Sequence, residues 1–367
     1  MAARKSDRGP TLADVARIAG CSPISASRAL NTPDMVSPDL RQRVAKAVAE
    51  IGYRPNLNAR ALASIRTNVV GVLVPSLTQH IFTDVLRGIY DGLQPTKLRV
   101  LLGNTHYDDA EEERLVGEFL GQKPSAMIVS GIEQRPATRK MLEQFDQPVI
   151  QIMDLTDDPI DRIVGFSHFQ AGYLATRHLI EQGYRHIGFG AGWVNQRSSG
   201  RMKGWRRALE EAGIFNPDLA AVSIVQSTRP EDVPVAPTNK HLGESTSALN
   251  GRKYLCDLLE REPRLDAMFC NNDILALGVL FEAHARGIAV PEGLGIVGFN
   301  DTEVVSASHP SLTSVRTPRY EIGLRAVQEI IKVLEGRDGG ERVMDLGVQV
   351  MVRASTMKLE TLAGQEM

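Results

Sequence analysis

Residues 11–31 read T-L-A-D-V-A-R-I-A-G-C-S-P-I-S-A-S-R-A-L-N, and this stretch decides the architecture of the amino-terminal region. Leu12, Val15, Ala16 and Ala19 recur on one helical face. Thr11 is placed to cap that helix, and Asp14 falls in its first turn, where the helix dipole favours a carboxylate. Gly20 supplies the backbone freedom that ends it. Ser22 then caps a second helix, which starts on Pro23, where a missing N–H costs nothing, and runs to about Leu30. Two short helices joined by a tight glycine-containing turn form a helix-turn-helix. A third amphipathic helix is predicted from Pro38 to Ile51, with Leu40, Val44, Ala47, Val48 and Ile51 at core spacing.

The charge distribution sets this region apart. The 367 residues carry a formal net charge of −2, with 43% hydrophobic and 23% charged residues. Residues 1–66 hold eleven Lys/Arg against five acids, a net +6, which leaves −8 on the rest. A small basic head on an acidic body points to a polyanionic partner for the head alone, with a solvated basic face as the plainer alternative. Cys21, Cys256 and Cys270 form no C-x-x-C pair, which fits reduced thiols better than a disulfide framework or a metal site. The chain opens M-A-A-R-K-S-D-R, with no apolar signal core and no membrane-length apolar run, so a cytoplasmic protein is expected.

From Asn68 the pattern changes to short apolar runs alternating with amphipathic helices. V-V-G-V-L-V (69–74), R-V-L-L-G (99–103), A-M-I-V-S (126–130), P-V-I-Q-I-M (148–153), H-I-G-F-G (186–190), V-S-I-V (222–225), A-M-F-C (267–270) and G-I-V-G-F (295–299) read as strands. Apolar strands alternating with helices mean parallel sheets covered on both faces, and about eleven candidates fit two doubly wound sheets better than one. Ligands of such folds bind beyond the carboxyl ends of the strands, so two facing sheets would enclose a cleft.

Enzyme motifs are weak. G-F-G-A-G (188–192) lacks the third glycine of a dinucleotide loop, and the acids that follow, Glu210 and Glu211, lie inside a helix. No phosphate-cradling loop and no G-x-S-x-G elbow occurs. His178 and His186 read as structural, and Asp108 to Glu113 as an acidic helix start rather than a cation site. No catalytic residue, cofactor or metal is therefore expected. A transport binding protein would share the body but need a signal peptide and no DNA reader, and a sugar-processing enzyme would need a catalytic constellation.

The segment quoted first, followed by V-S-P-D-L-R-Q-R-V (36–44) and I-G-Y-R-P-N (51–56), resembles the start of LacI/GalR-family regulators. The resemblance implies an α/β chain: a helix-turn-helix domain over 1–54, a hinge helix and linker over 55–67, and an effector-binding core over 68–358. That core would be periplasmic-binding-protein-like, with two doubly wound subdomains and a short tail over 359–367. It further implies a transcription regulator that binds double-stranded operator DNA as a homodimer. In that family the second helix enters the major groove N-terminus first, which puts Pro23, Ile24 and Ser25 at the base-reading end with Ser27 and Arg28 one turn on. Thr11, Asn31, Tyr53, Asn56 and Ala59 complete the DNA-binding set. Arg28 can donate two hydrogen bonds to guanine, or simply pair with an acid on the surface. Ile24 is apolar where a polar base-reader is common, and Ala26 replaces a common β-branched residue. N-L-N-A-R-A-L-A-S (56–64) resembles the hinge helix, with Leu62 matching a leucine levered into the minor groove. The tail after Lys358 is too short for a tetramerising coiled coil.

The effector set implied by the resemblance is Ser76, Phe82, Ser130, Asp154, Arg201, Thr246, Ser247, Asn272, Asn300 and Thr317. Hydrogen-bonding side chains with Phe82 for stacking suit a polyhydroxylated ligand. Asn300 stands where many sugar-binding members carry aspartate, which removes a negative charge and leaves Arg201 to pair with a carboxylate. Asp154 pulls the other way. Residues 73–89, 269–273, 311–319 and 343–347 place the chain nearest to gluconate-operon repressors, which implies a sugar acid, with a neutral sugar or a corepressor as alternatives. The Pro-rich segment 227–244 reads as a lid or an exposed variable loop.

Overall fold

Local capping builds the first unit as the sequence predicts. In the computed structural model, which describes residues 10–53, 67–78, 80–225, 247–337 and 340–358, helix α1 spans Leu12–Ala19. The Thr11 hydroxyl accepts from the Asp14 N–H at 3.4 Å and the Thr11 N–H donates to the Asp14 carboxylate at 3.0 Å, closing a capping box. Gly20 ends the helix in the left-handed region at φ 63°. Ser22 caps α2 (Pro23–Asn31), one residue longer than expected, and Ser37 caps α3 (Pro38–Ile51). The small side chains of Ala16, Ala19, Ala26, Ala29 and Ala47 let the three short helices close around Val15 and Val44. This burial explains Ala26: it faces the core, where a branched side chain would overfill the space. Arg43 of α3 donates to the Ala19 carbonyl at 2.9 Å, a cation at the helix end that welcomes one.

The second unit, from Asn68 on, contains two six-stranded sheets. The strands are β1 (Val69–Val74), β2 (Arg99–Asn104), β3 (Ala126–Ser130), β4 (Val149–Ile152), β5 (Arg162–Gly165) and β6 (Ile187–Val194). They continue as β7 (Ala220–Val225), β8 (Ala267–Cys270), β9 (Gly295–Asn300), β10 (Thr313–Arg316), β11 (Val343–Asp345) and β12 (Gln349–Met351). One sheet runs β11-β5-β4-β3-β1-β2, all parallel; the other runs β12-β10-β9-β8-β6-β7, with only β12 antiparallel. The helices are α4 (His80–Leu93), α5 (Asp109–Gly121), α6 (Pro136–Glu143), α7 (His168–Glu181), α8 (Gln196–Glu211), α9 (Ala248–Arg261), α10 (Asp273–Ala285), α11 (Glu303–Ala307) and α12 (Arg319–Leu334). β3, β4, β8 and β9 are buried almost throughout, which is why they read as unbroken apolar runs. β11 and β12, three residues each, carry too little pattern to be read that way.

The chain crosses between the sheets three times: after β5, after β10, and between β11 and β12. These crossings put the carboxyl ends of both sheets along one cleft. Helices α7 and α8 seat one wall through paired glycines. A Cβ on Gly204 would lie 2.1 Å from the Phe169 carbonyl oxygen, and one on Gly172 would lie 2.0 Å from that of Arg201. Gly204→Ala therefore has to move backbone, and should cost about 1–3 kcal/mol, as overpacking does. Thermal melting should register the loss as several degrees, and an unchanged midpoint would show that the crossing tolerates a methyl group. No helix among the described residues is long and apolar enough to cross a membrane.

Candidate functional site

The exposed face of α2 is the first candidate. Ala26 and Ala29 point inward, while Pro23, Ile24 and Arg28 are exposed and Ser25 and Ser27 half-buried. Ile24 is 67% exposed, far more than core packing would leave an isoleucine. No described carboxylate pairs with Arg28. Ser25 is held back, its hydroxyl lying 2.9 Å from that of Ser22.

The second candidate is the cleft of the larger unit, organised around Arg201 in the second turn of α8. Arg201 is only 8% exposed. Its Nε donates to Asn271 Oδ1 at 2.6 Å, Nη1 lies 3.2 Å from His168 Nδ1, and Nη2 donates to Ser198 Oγ at 3.3 Å. The Phe299 ring lies under the guanidinium, 4.2 Å from Cζ. Burial holds His168 well below the ordinary histidine pKa, with Arg201 and Arg197 adding to the fall, so the ring is neutral. Arginine only donates, so Nδ1 must accept and Nε2 must carry the proton, which it gives to the Met153 carbonyl at 3.1 Å. Every hydrogen-bond partner of Arg201 is thus uncharged, and the Asp154 carboxylate acts on it only through space. Burial, with a smaller contribution from Arg197, pulls its pKa down to about 9. One N–H on each terminal nitrogen has no described acceptor, and an end-on carboxylate would take such a pair.

Arg197, one turn earlier, spans the cleft. Its Nη2 donates to Ser130 Oγ at 3.0 Å, at the end of β3, and its Nε lies 3.6 Å from Asp154 Oδ2, just after β4. The cavity beside it, about 110 Å³, is lined by Tyr107, Glu112, Glu133, Gln134 and Asn195 among others. Burial raises Glu112 to about 7, against the Gln134 hydrogen bond at 3.3 Å, and it also raises Glu133 and Asp154. An acidic wall pushed towards its neutral form repels an anion less than its composition suggests.

Comparison with known proteins identifies both units. Residues 11–56 match the bacterial regulatory proteins of the lacI family, and residues 176–356 match a periplasmic binding protein-like domain. The HTH-type transcriptional regulator GntR of Pseudomonas aeruginosa is 39% identical, covering 95% of this chain and 96% of that protein. The chain belongs to the LacI family. It is a DNA-binding transcriptional regulator. GntR of Escherichia coli is 30% identical over 92% of this chain and 96% of that protein. A LacI-family regulator from Silicibacter pomeroyi superposes with a TM-score of 0.81 at 32% identity, covering 95% of this chain and all of that one.

Against the LacI-family expectations, the structure brings Ser130, Asp154, Arg201, Asn300 and Thr317 to the carboxyl ends of the strands. The Asn300 side chain is buried and makes no hydrogen bond among the described residues, while its own carbonyl accepts from Arg319. The next residue, Asp301, is taken by Arg316 and Arg353 at 2.7 and 2.6 Å. Phe82 is a correction: at 1% exposure it packs in the core with Val74, Val85 and Ile89, so it offers no face for stacking. Asn272 caps α10 by accepting from the Leu275 N–H at 3.0 Å, whereas its neighbour Asn271 reaches Arg201. Ser247 likewise caps α9, and Ser76 bonds Thr78 in the turn after β1. In the first unit, the Thr11 hydroxyl is committed to its capping box, Tyr53 is half-buried against the helical core and Asn31 ends α2. Asn56, Ala59, Leu62, Thr246 and the segment 227–244 lie outside the described residues. Sequence reasoning missed Arg197, Asn271 and His168. Arg197 lies four residues before Arg201, the spacing that shares a helix face, and that signal was there to be read.

Proposed function

We propose that this regulator is a cytoplasmic, non-catalytic homodimeric repressor, released from a palindromic operator by a sugar acid of the gluconate class. The observation that carries the ligand reading is Arg201: a buried guanidinium surrounded by neutral partners, with an N–H pair left for a carboxylate. A buried charge with no ion-pair partner in hydrogen-bond reach is costly unless something pairs with it. Hydroxyl groups would be met by Asn300, Asp154 and the carboxyl groups of Glu112 and Glu133. Asn300 adds no negative charge opposite the bound anion. The relatives' name GntR accords with this class of ligand.

Dimerisation is supported by an outward apolar stripe on α9 and α10. Leu249 is 75%, Phe281 51% and Ile274 39% exposed, more large apolar surface than a lone domain usually leaves on one helix pair. On DNA, Pro23, Ile24, Ser27 and Arg28 would approach base edges, and the net +6 of residues 1–66 would meet phosphates. Operator affinity should therefore fall steeply with salt.

Titration calorimetry of the full chain tests the ligand class. Gluconate or 2-ketogluconate should bind at least about tenfold more tightly than glucose, the difference one charge-assisted contact supplies, and should release operator DNA in a gel-shift assay. Glucose binding as tightly as gluconate would overturn the carboxylate reading, and gluconate tightening the operator complex would make the protein a corepressed regulator instead.

A further inference from the structure

The cleft reading leaves one requirement open. A polyhydroxylated chain presents C–H faces as well as hydroxyls, and an aromatic ring usually covers them. Phe82 is in the core and Phe299 lies 1% exposed beneath Arg201. Among the described residues lining the cavity, Tyr107 is the aromatic one.

Its setting is unusual. After β2, Asn104 Oδ1 accepts from the His106 N–H at 3.3 Å, and the Asp108 N–H returns to the Thr105 carbonyl at 2.8 Å. Asp108 then caps α5 through the N–H groups of Ala110 and Glu111. Between these anchors His106 and Tyr107 both take left-handed backbone, φ 53° and 57°. Two consecutive left-handed residues that are neither glycine nor asparagine cost stability, and a bulky aromatic is among the least suited. Glycine would make the same turn without strain. What glycine lacks is the ring. Strain kept at a cleft wall is a pointer to function when a cheaper residue would satisfy the backbone. Tyr107 and Arg197 line the same cavity, and Arg197 lies one turn before Arg201 on α8.

We infer that Tyr107 is the stacking platform of the effector cleft, a specificity-determining residue kept there at the expense of a strained turn. The inference rests on the cleft being the effector site, as proposed above. The ring covers the C–H face of the bound chain while Arg201 takes the carboxylate.

Tyr107→Gly, Tyr107→Phe and His106→Gly, each in the full chain, test it with gluconate and glucose as probes. Tyr107→Gly should raise the melting temperature of the free protein yet weaken gluconate binding by about tenfold or more, the scale of a lost stacking contact. Tyr107→Phe should keep affinity within about threefold, because the face and not the hydroxyl does the stacking. His106→Gly should raise stability and leave affinity alone. Tyr107→Gly binding gluconate as tightly as the parent overturns the inference and makes the turn purely structural. If the parent binds glucose and not gluconate, the sugar-acid reading fails, while the same loss measured on glucose still supports the platform. Binding of neither probe overturns both.

Discussion

Replacing Arg201 by alanine should cost about 2–5 kcal/mol of sugar-acid affinity, the range for breaking a desolvated, hydrogen-bonded charge pair. Three neutral groups fix the plane of the guanidinium before any ligand arrives. Preorganisation of this kind makes the lost contact expensive. Arg201→Lys should recover only part of the loss, because an ammonium is a point charge without the planar fork that can hold Asn271, Ser198 and a carboxylate together. Glucose affinity should change much less in either variant. Asn300→Asp should act in the complementary way, weakening the acid more than the sugar by adding negative charge opposite it. Calorimetry on the four proteins decides, and an Arg201→Ala variant that binds gluconate like the parent would remove the carboxylate clamp altogether.

Leu62→Ala should weaken operator binding by a few kcal/mol, on the order of a hundredfold, if this leucine is the wedge that the family resemblance implies. Inserting an apolar side chain between base steps costs unstacking, which is repaid by the contacts that the bent duplex allows. Truncation to a methyl group removes the wedge and with it the bend. Ligand affinity of the DNA-free protein should stay the same, because Leu62 precedes the cleft-bearing unit in the chain. Gel shift on an operator selected from random DNA, with calorimetry in parallel, makes the comparison, and equal operator affinity for variant and parent would refute the wedge. Linkage requires the converse effect in the parent: whatever factor the ligand takes from operator affinity, operator takes from ligand affinity.

The helix-turn-helix was legible in the sequence because its boundaries are set by neighbours in the chain. Thr11 with Asp14, Gly20, Ser22 with Pro23, and Ser37 with Pro38 each act within a few residues, and each does so in the structure. The strands of the body were legible where both faces are buried, since such strands must be apolar throughout. The cleft was only half legible. The family resemblance implied Ser130, Asp154, Arg201 and Asn300 for the cleft, and strand order is consistent with that. Where each side chain points is decided by packing between segments far apart in sequence. Phe82 turned inward because α4 buries that face against the sheet and α12. Of two adjacent asparagines, Asn272 went to the helix cap and Asn271 to Arg201, a division settled by Ser198 and Arg201, 73 and 70 positions before Asn271. Arg197 became part of the site only because three crossings bring Ser130 and Asp154 of the other sheet within its reach. Capping and periodicity are local energies and can be read from one sequence, whereas the direction of a cleft side chain is a property of two sheets meeting.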